Sequence, residues 1–244
     1  MLKIQGILVP IATPYDHRGD VYKVKLASNI ERLNSINLTG YVVGDELLTA
    51  EEKFLVWEIA AKAAKPGKLL GAVASAPSVR ETVALTNRAA ELGFHFAMVQ
   101  NSGATKALYY EAVADAAKIP VMAEADFGTT HPNILRVELT TNAASLFTDL
   151  KAGSKGGVIA IANAIPYTIQ LIWEAYRQRE EEAGFDWQER ITGLAEVVAK
   201  YGTPGLKWAM DLNSYYGGAP RLPDAAVGDG AKSEIAAAIK DLKS

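Results

Sequence analysis

The feature that most constrains this chain is a regular alternation, over its first two thirds, of short β-branched-rich apolar runs with stretches whose apolar positions recur at helical spacing. Gln5 to Ala12 (QGILVPIA) reads as a buried strand closed by Thr13-Pro14, and Val21 to Ile36 as the helix after it. Tyr41 to Val43 is the next strand. Thr49, with Glu51 and Glu52 behind it, opens a helix: a hydroxyl oxygen accepts from an orphan amide, and early carboxylates face the positive end of the helix dipole. Pro66-Gly67 ends it. Leu69 to Ala74, Ser78 to Leu92, Phe94 to Gln100, Lys106 to Ala117 and Ile119 to Ala123 then continue the strand and helix alternation. Further on, Asn142 to Ala152 reads as a helix and Gly156 to Ala162 as a strand. Pro166 to Glu182, Trp187 to Lys200, Leu206 to Leu212 and Ser233 to Leu242 are helices with no strand between them. Such a pattern predicts an α/β fold with a parallel sheet and right-handed crossovers. Its regularity favours a barrel over an open sheet, with the last helices as an outer layer.

The middle breaks the rhythm. Ile119 to Ala123 and Ile134 to Leu139 both read as strands, yet only about ten residues separate them, and a parallel crossover ordinarily takes a dozen or more with a helix. No helix fits there. One strand is missing from the expected set, or Asn133 onward is helical, or another chain closes the gap. A strand edge left open would pair with a second copy, so a homo-oligomer is expected.

With 244 residues, 49% of them hydrophobic, the chain can bury one sizeable core. Residues 1–165 are read as the barrel, and residues 166–244 as its last helix and the C-terminal layer of the same structural unit. A net charge of −3 without any basic run argues against nucleic acid. The absence of cysteine excludes disulfides, thiolate catalysis and thiolate metal sites. The N-terminal run carries neither a signal-peptide pattern nor the length of a membrane span, so a cytoplasmic address and no membrane partner are expected. Gly228 to Gly230 (GDG) does not follow a strand and does not read as a phosphate loop.

The stretch from Lys118 to Thr140 should hold the chemistry, and it is acidic. Asp45, Glu124, Asp126 and Glu138 each follow a predicted strand and would face the barrel mouth, where active sites of such folds lie. Hard carboxylate oxygens there suit Mg²⁺ or Mn²⁺. Acids at loop starts also serve as helix caps or solvated charges, and that is the plainer reading. The three histidines are read as turn or packing residues, and Tyr109 and Tyr110 as packing against the barrel. Trp173, Trp187 and Trp208 are read as structural residues of the outer helices.

Several longer motifs carry a family likeness. GILVPIATPYDHRGDV, SVRETVALTNRAAELGF, AVADAAKIPV, LKAGSKGGVIAIANAIP and YGTPGLKWAMDLNSYYGGAPRLP together resemble the dihydrodipicolinate synthase and N-acetylneuraminate lyase family. The resemblance implies a TIM (β/α)8-type barrel with a C-terminal helical layer, complete or with one βα unit missing or remodelled. It also implies a homotetramer and a lyase or aldolase that binds pyruvate or a related 2-oxo acid as a Schiff base on a lysine. Such chemistry needs a neutral amine and a tyrosine to move the proton. The sequence departs from that pattern. Gly44-Asp45-Glu46 replaces a threonine-rich loop, Asn101-Ser102-Gly103 an aromatic one, Glu124 stands at the tyrosine position and Glu138 at the lysine position. Lys155 matches the start of the last strand, at the end of the barrel opposite catalysis, and Lys207 a structural helix.

What the resemblance implies is therefore ancestry and fold, with the Schiff-base activity lost. Trimming concentrated at the catalytic loops reads as an engineered or strongly remodelled barrel, a natural paralogue being the other version. The alternative is a lyase in which a divalent metal at Asp45, Glu124, Asp126 and Glu138 polarises the 2-oxo acid as a Lewis acid. In that case VGDEL and EADFG resemble metal-binding segments of the phosphoenolpyruvate mutase, isocitrate lyase and ketopantoate hydroxymethyltransferase barrels. No other cofactor is expected.

Overall fold

In the computed structural model, which describes residues 2–100, 106–123, 130–136 and 138–243, the alternation becomes eight short strands and eight helices. They run β1 (Gly6–Ile11), α1 (Lys23–Leu33), β2 (Gly40–Val43), α2 (Ala50–Ala63), β3 (Leu69–Val73), α3 (Val79–Glu91), β4 (Phe96–Val99), α4 (Lys106–Ala116) and β5 (Val121–Ala123). Then follow β6 (Ile134–Leu135), β7 (Leu139–Thr140), α5 (Leu146–Lys151), β8 (Gly156–Val158), α6 (Pro166–Gln178), α7 (Glu181–Leu212) and α8 (Asp229–Ile239). The predicted helix start at Thr49 is a full capping box. Its hydroxyl accepts from the Glu52 amide, and the Glu52 carboxylate accepts from the Thr49 amide.

Local chemistry explains where the helices differ from the sequence reading. The helix expected from Asn142 opens instead as a single 3-10 turn, Ala143–Ser145, because the Asn142 side chain accepts from the Ala144 amide and tightens the entry. The helices expected over 187–200 and 206–212 run together as α7. They are broken within it at Gly202, whose φ of 62° and ψ of −150° are open only to glycine. Pro204, two residues on, lacks the amide that would have healed the break.

All the strands are parallel to their partners, in the order β6-β5-β4-β3-β2-β1-β8-β7. The two ends of this sheet are consecutive in the chain. Ile134 and Leu135 pair with Val121 and Met122 of β5, whereas Leu139 and Thr140 pair with Gly156 and Gly157 of β8. The two flanks of the curled sheet, 134–135 and 139–140, are thus near neighbours in the chain. β5 is three residues long, about 10 Å, and β6 pairs parallel to it.

Two apolar clusters divide the strands by side-chain parity. Leu8, Val42, Phe96, Met122, Leu135 and Val158 point along the barrel axis, with Leu69, Val73, Met98 and Leu139 against them. Their neighbours Ile7, Val9, Tyr41, Val43, Ala97, Val121 and Ile134 face the helices. The axis is therefore filled with side chains. Close approach of β2 to β3 depends on Gly40, where a Cβ would stand 2.0 Å from the Leu69 carbonyl oxygen. Gly40→Ala is expected to cost about 3 kcal/mol or more, because only backbone could give way. Chemical denaturation of the purified variant measures it.

Among the described residues, no helix is long and apolar enough to cross a membrane.

Candidate functional site

At the carboxyl ends of β1 and β2 a polar cluster forms around Asp45, one of the acids singled out from sequence. Gly44, at φ 107°, turns the chain out of β2. The half-buried Asp45 carboxylate then accepts from the Thr13 hydroxyl at 2.7 Å, the Tyr15 hydroxyl at 3.3 Å and the Leu47 amide at 2.9 Å. Burial, together with the neighbouring Asp45 charge, pushes the Tyr15 phenol up, so it stays a donor. Asp45 therefore ties the loop after β1 to the loop after β2. Asp45→Ala would leave Thr13 and Tyr15, both buried, without that acceptor, and is expected to cost roughly 2–3 kcal/mol in thermal unfolding.

Two lysines reach this face from helices. Lys207 of α7 is 2% exposed, and its ammonium donates to the carbonyl oxygens of Thr13 at 2.6 Å and Gly217 at 3.0 Å. It also lies 4.8 Å from the Tyr15 ring centre. Burial holds its pKa down to about 8, against the opposing pull of Asp45 and Asp211. Lys53 of α2 is buried and donates to the Ser75 carbonyl, just beyond β3, at 2.9 Å. Burial lowers its pKa also, opposed by Asp45, Glu81 and Glu46. Arg221 completes the cluster. It pairs with both oxygens of Glu52, donates to the carbonyls of Gly19 and Leu47, and stacks 4.2 Å from the centre of Tyr15. Through it the loop after α7 is strapped across the end of β1, where Tyr15 also bridges Ala219.

The other acids are placed differently. Glu124 and Asp126 lie outside the described residues. Glu138 is exposed, and its carbonyl accepts from the Lys155 amide and the Ser154 hydroxyl. Leu135 and Leu139 both pack on the barrel axis, so strand parity sets Glu138 on the opposite, outer side. Asp45 and Glu138 are not brought together. Among the described residues no group of three or more His, Asp or Glu is gathered as metal ligands would be.

Positions of the described strands that share the axial parity near the mouth are Pro10, Ala12, Gly44, Val73, Ser75, Met98, Gln100 and Ala160, without an amine or an acid. Tyr109 and Tyr110 are packed as expected, donating to the carbonyls of Ala76 and Val99. Lys53 was missed. The signal was present, since it falls at i of an i, i+3, i+4, i+7 stripe with Val56, Trp57 and Ala60, all buried on one face of α2.

The parallel strands, the helices around them and the C-terminal helical layer place the chain in the α/β-barrel fold class, in which functional sites lie at the carboxyl ends of the strands. No family model matches the chain. Among curated proteins it is 23% identical to a 4-hydroxy-tetrahydrodipicolinate synthase of Exiguobacterium sp. over 286 residues, covering 97% of each. That alignment is longer than this chain of 244 residues, so the chain is shortened within it. Among solved structures it superposes on the dihydrodipicolinate synthase of Acinetobacter baumannii, crystallised with pyruvate. The TM-score is 0.90 at 19% identity, covering 98% of this chain and 99% of that one. The N-acetylneuraminate lyase of Mycoplasma synoviae gives a TM-score of 0.85 at 19% identity, over 98% of both. The relatives and neighbours are members of the dihydrodipicolinate synthase and N-acetylneuraminate lyase family, and the chain matches their fold over its whole length.

Proposed function

We propose that this chain is a barrel of dihydrodipicolinate synthase and N-acetylneuraminate lyase ancestry that no longer performs Schiff-base chemistry on a 2-oxo acid. One observation carries the reading. Glu138, which the motif count from His131 sets at the reactive-lysine position, stands exposed beside β7. The axial positions near the mouth that the structure describes supply no substitute amine. Lys207 and Lys53 reach the same face, but each amine is buried and bonded to backbone carbonyls.

What such a barrel retains is a scaffold, trimmed at the catalytic loops by design or in a paralogue, with residues 1–165 and 166–244 forming one unit. A 2-oxo acid is the only ligand the ancestry suggests, and a cytoplasmic homo-oligomer the setting. Trapping with pyruvate and borohydride tests the reading: no lysine should be labelled. If activity survives through Mg²⁺ or Mn²⁺ at Asp45 with Glu124 and Asp126, either metal will raise the melting temperature, and Asp45→Asn will abolish the rise.

A further inference from the structure

The opposite face of the barrel carries a site of its own. A cavity of about 280 Å³ opens between the residues that precede β1 and β2 and the last turns of α6. It is lined by Gln5, Asn37, Leu38, Thr39, Trp173 and Arg177. The backbone around it is fixed: the Thr39 hydroxyl donates to the Gln5 carbonyl at 3.0 Å, and the Asn37 amide donates to the Gln170 side chain at 3.2 Å. Trp173 and Arg177 are four residues apart and so share one face of α6. Trp173 is only 7% exposed, and its ring edge is held beside Gly6.

Several side-chain donors of this lining, most of them on the exposed residues Gln5, Asn37 and Arg177, have no protein partner among the described residues. They are the Arg177 guanidinium, the indole N–H of Trp173 and the side-chain amides of Gln5 and Asn37. No carboxylate lines the cavity. Glu174, the acid closest in sequence to Arg177 on α6, accepts from the Gln170 amide instead. A cation in the last turn of a helix offsets the helix dipole, which accounts for Arg177 alone. It does not account for a largely buried tryptophan and two exposed side-chain amides sharing the same cavity.

The geometry points to a binding site for a small oxyanion, a carboxylate or phosphate group, held by Arg177, Trp173, Asn37 and Gln5 at the amino-terminal face of the barrel. A guanidinium presents paired donors that match such a group, and the neutral amides and indole N–H complete its hydrogen bonding without adding competing charge. The site lies at the end of the barrel away from Asp45 and is independent of the fate of the Schiff-base chemistry.

Calorimetric titration of the full chain with inorganic phosphate and, separately, with acetate tests it. Saturable binding of at least one is expected, and the stronger of the two identifies the anion. Arg177→Gln should weaken that binding about tenfold or more, the loss of one charge-assisted contact, and Asn37→Ala by a few-fold. Arg179→Gln, which removes the same charge from an exposed position outside the cavity, should leave it unchanged. The inference is overturned if neither anion binds saturably, if Arg177→Gln binds as the wild type does, or if Arg179→Gln loses as much as Arg177→Gln.

Discussion

Incubated with pyruvate and sodium borohydride and mapped by mass spectrometry, the protein should carry no adduct on any lysine above a borohydride-only control. The expectation rests on where the amines are. A carbonyl carbon must reach a neutral, unengaged nitrogen. Lys207 is closest to neutrality, with its pKa near 8, but its nitrogen is closed in by Thr13, Gly217 and Tyr15. Lys53 is bonded to Ser75 and buried under α2. Glu138→Lys should also remain unlabelled, which is the sharper arm, because parity turns that position away from the axis. A labelled wild-type lysine would restore a Schiff-base mechanism and name its residue. A labelled Lys at 138 would show that the segment presents that side chain to the mouth.

Replacing Lys207 by methionine should destabilise the fold by roughly 2–4 kcal/mol at neutral pH, since the Thr13 and Gly217 carbonyls lose their donor where water cannot replace it. The pH dependence of that difference is more diagnostic. The folded pKa of Lys207, about 8, lies below the value near 10.4 of an unfolded chain. Between those values the unfolded state binds more protons, so this group adds stability as pH rises and its burial cost is fully present below pH 8. A neutral amine still has two N–H donors for its two carbonyls. The wild type should therefore gain on Lys207→Met by up to about 3 kcal/mol between pH 8 and 10.5, at 1.36 kcal/mol per pKa unit. Denaturant titrations of both proteins across that range give the gap directly. The charges facing the amine, Asp45, Asp211, Asp224 and Arg221, are common to both and largely cancel. A gap that stays flat would mean that the amine is ionised no less readily in the fold than outside it.

The architecture was legible because it follows from local signals. Strand periodicity, the hydroxyl cap at Thr49 and the glycine and proline stops each act within a few residues, and most reappear in place, although the strand read over Gly156 to Ala162 ends at Val158 and passes into a 3-10 turn. What was not legible depended on closure. Nothing between Ala123 and Leu139 announces that one segment will serve two neighbours, because pairing partners are chosen by the whole ring and not by the segment. Glu138 shows the same limit at the scale of a site. Counting along the motif assigns it to the lysine position, whereas its outward setting comes from Leu135 and Leu139 on either side of it. Asp45 was read as an acid of the mouth and does lie there, bonded to Thr13 and Tyr15. Its lysine neighbours arrive from α2, eight residues on, and from α7, far along the chain, where only a charged residue in an apolar stripe hinted at them.

The doubly paired segment 134–140 has a geometric corollary for the bore of the barrel. The two end staves of this hoop, β6 and β7, follow one another closely in the chain. The bore is plugged by Leu8, Val42, Phe96, Met122, Leu135 and Val158, and Phe96 lies so close over β3 that Gly71 has no room for a methyl group. Any ligand must be received at the rims, and the joint that closes the hoop, two rungs deep on either side, is where it would first spring open.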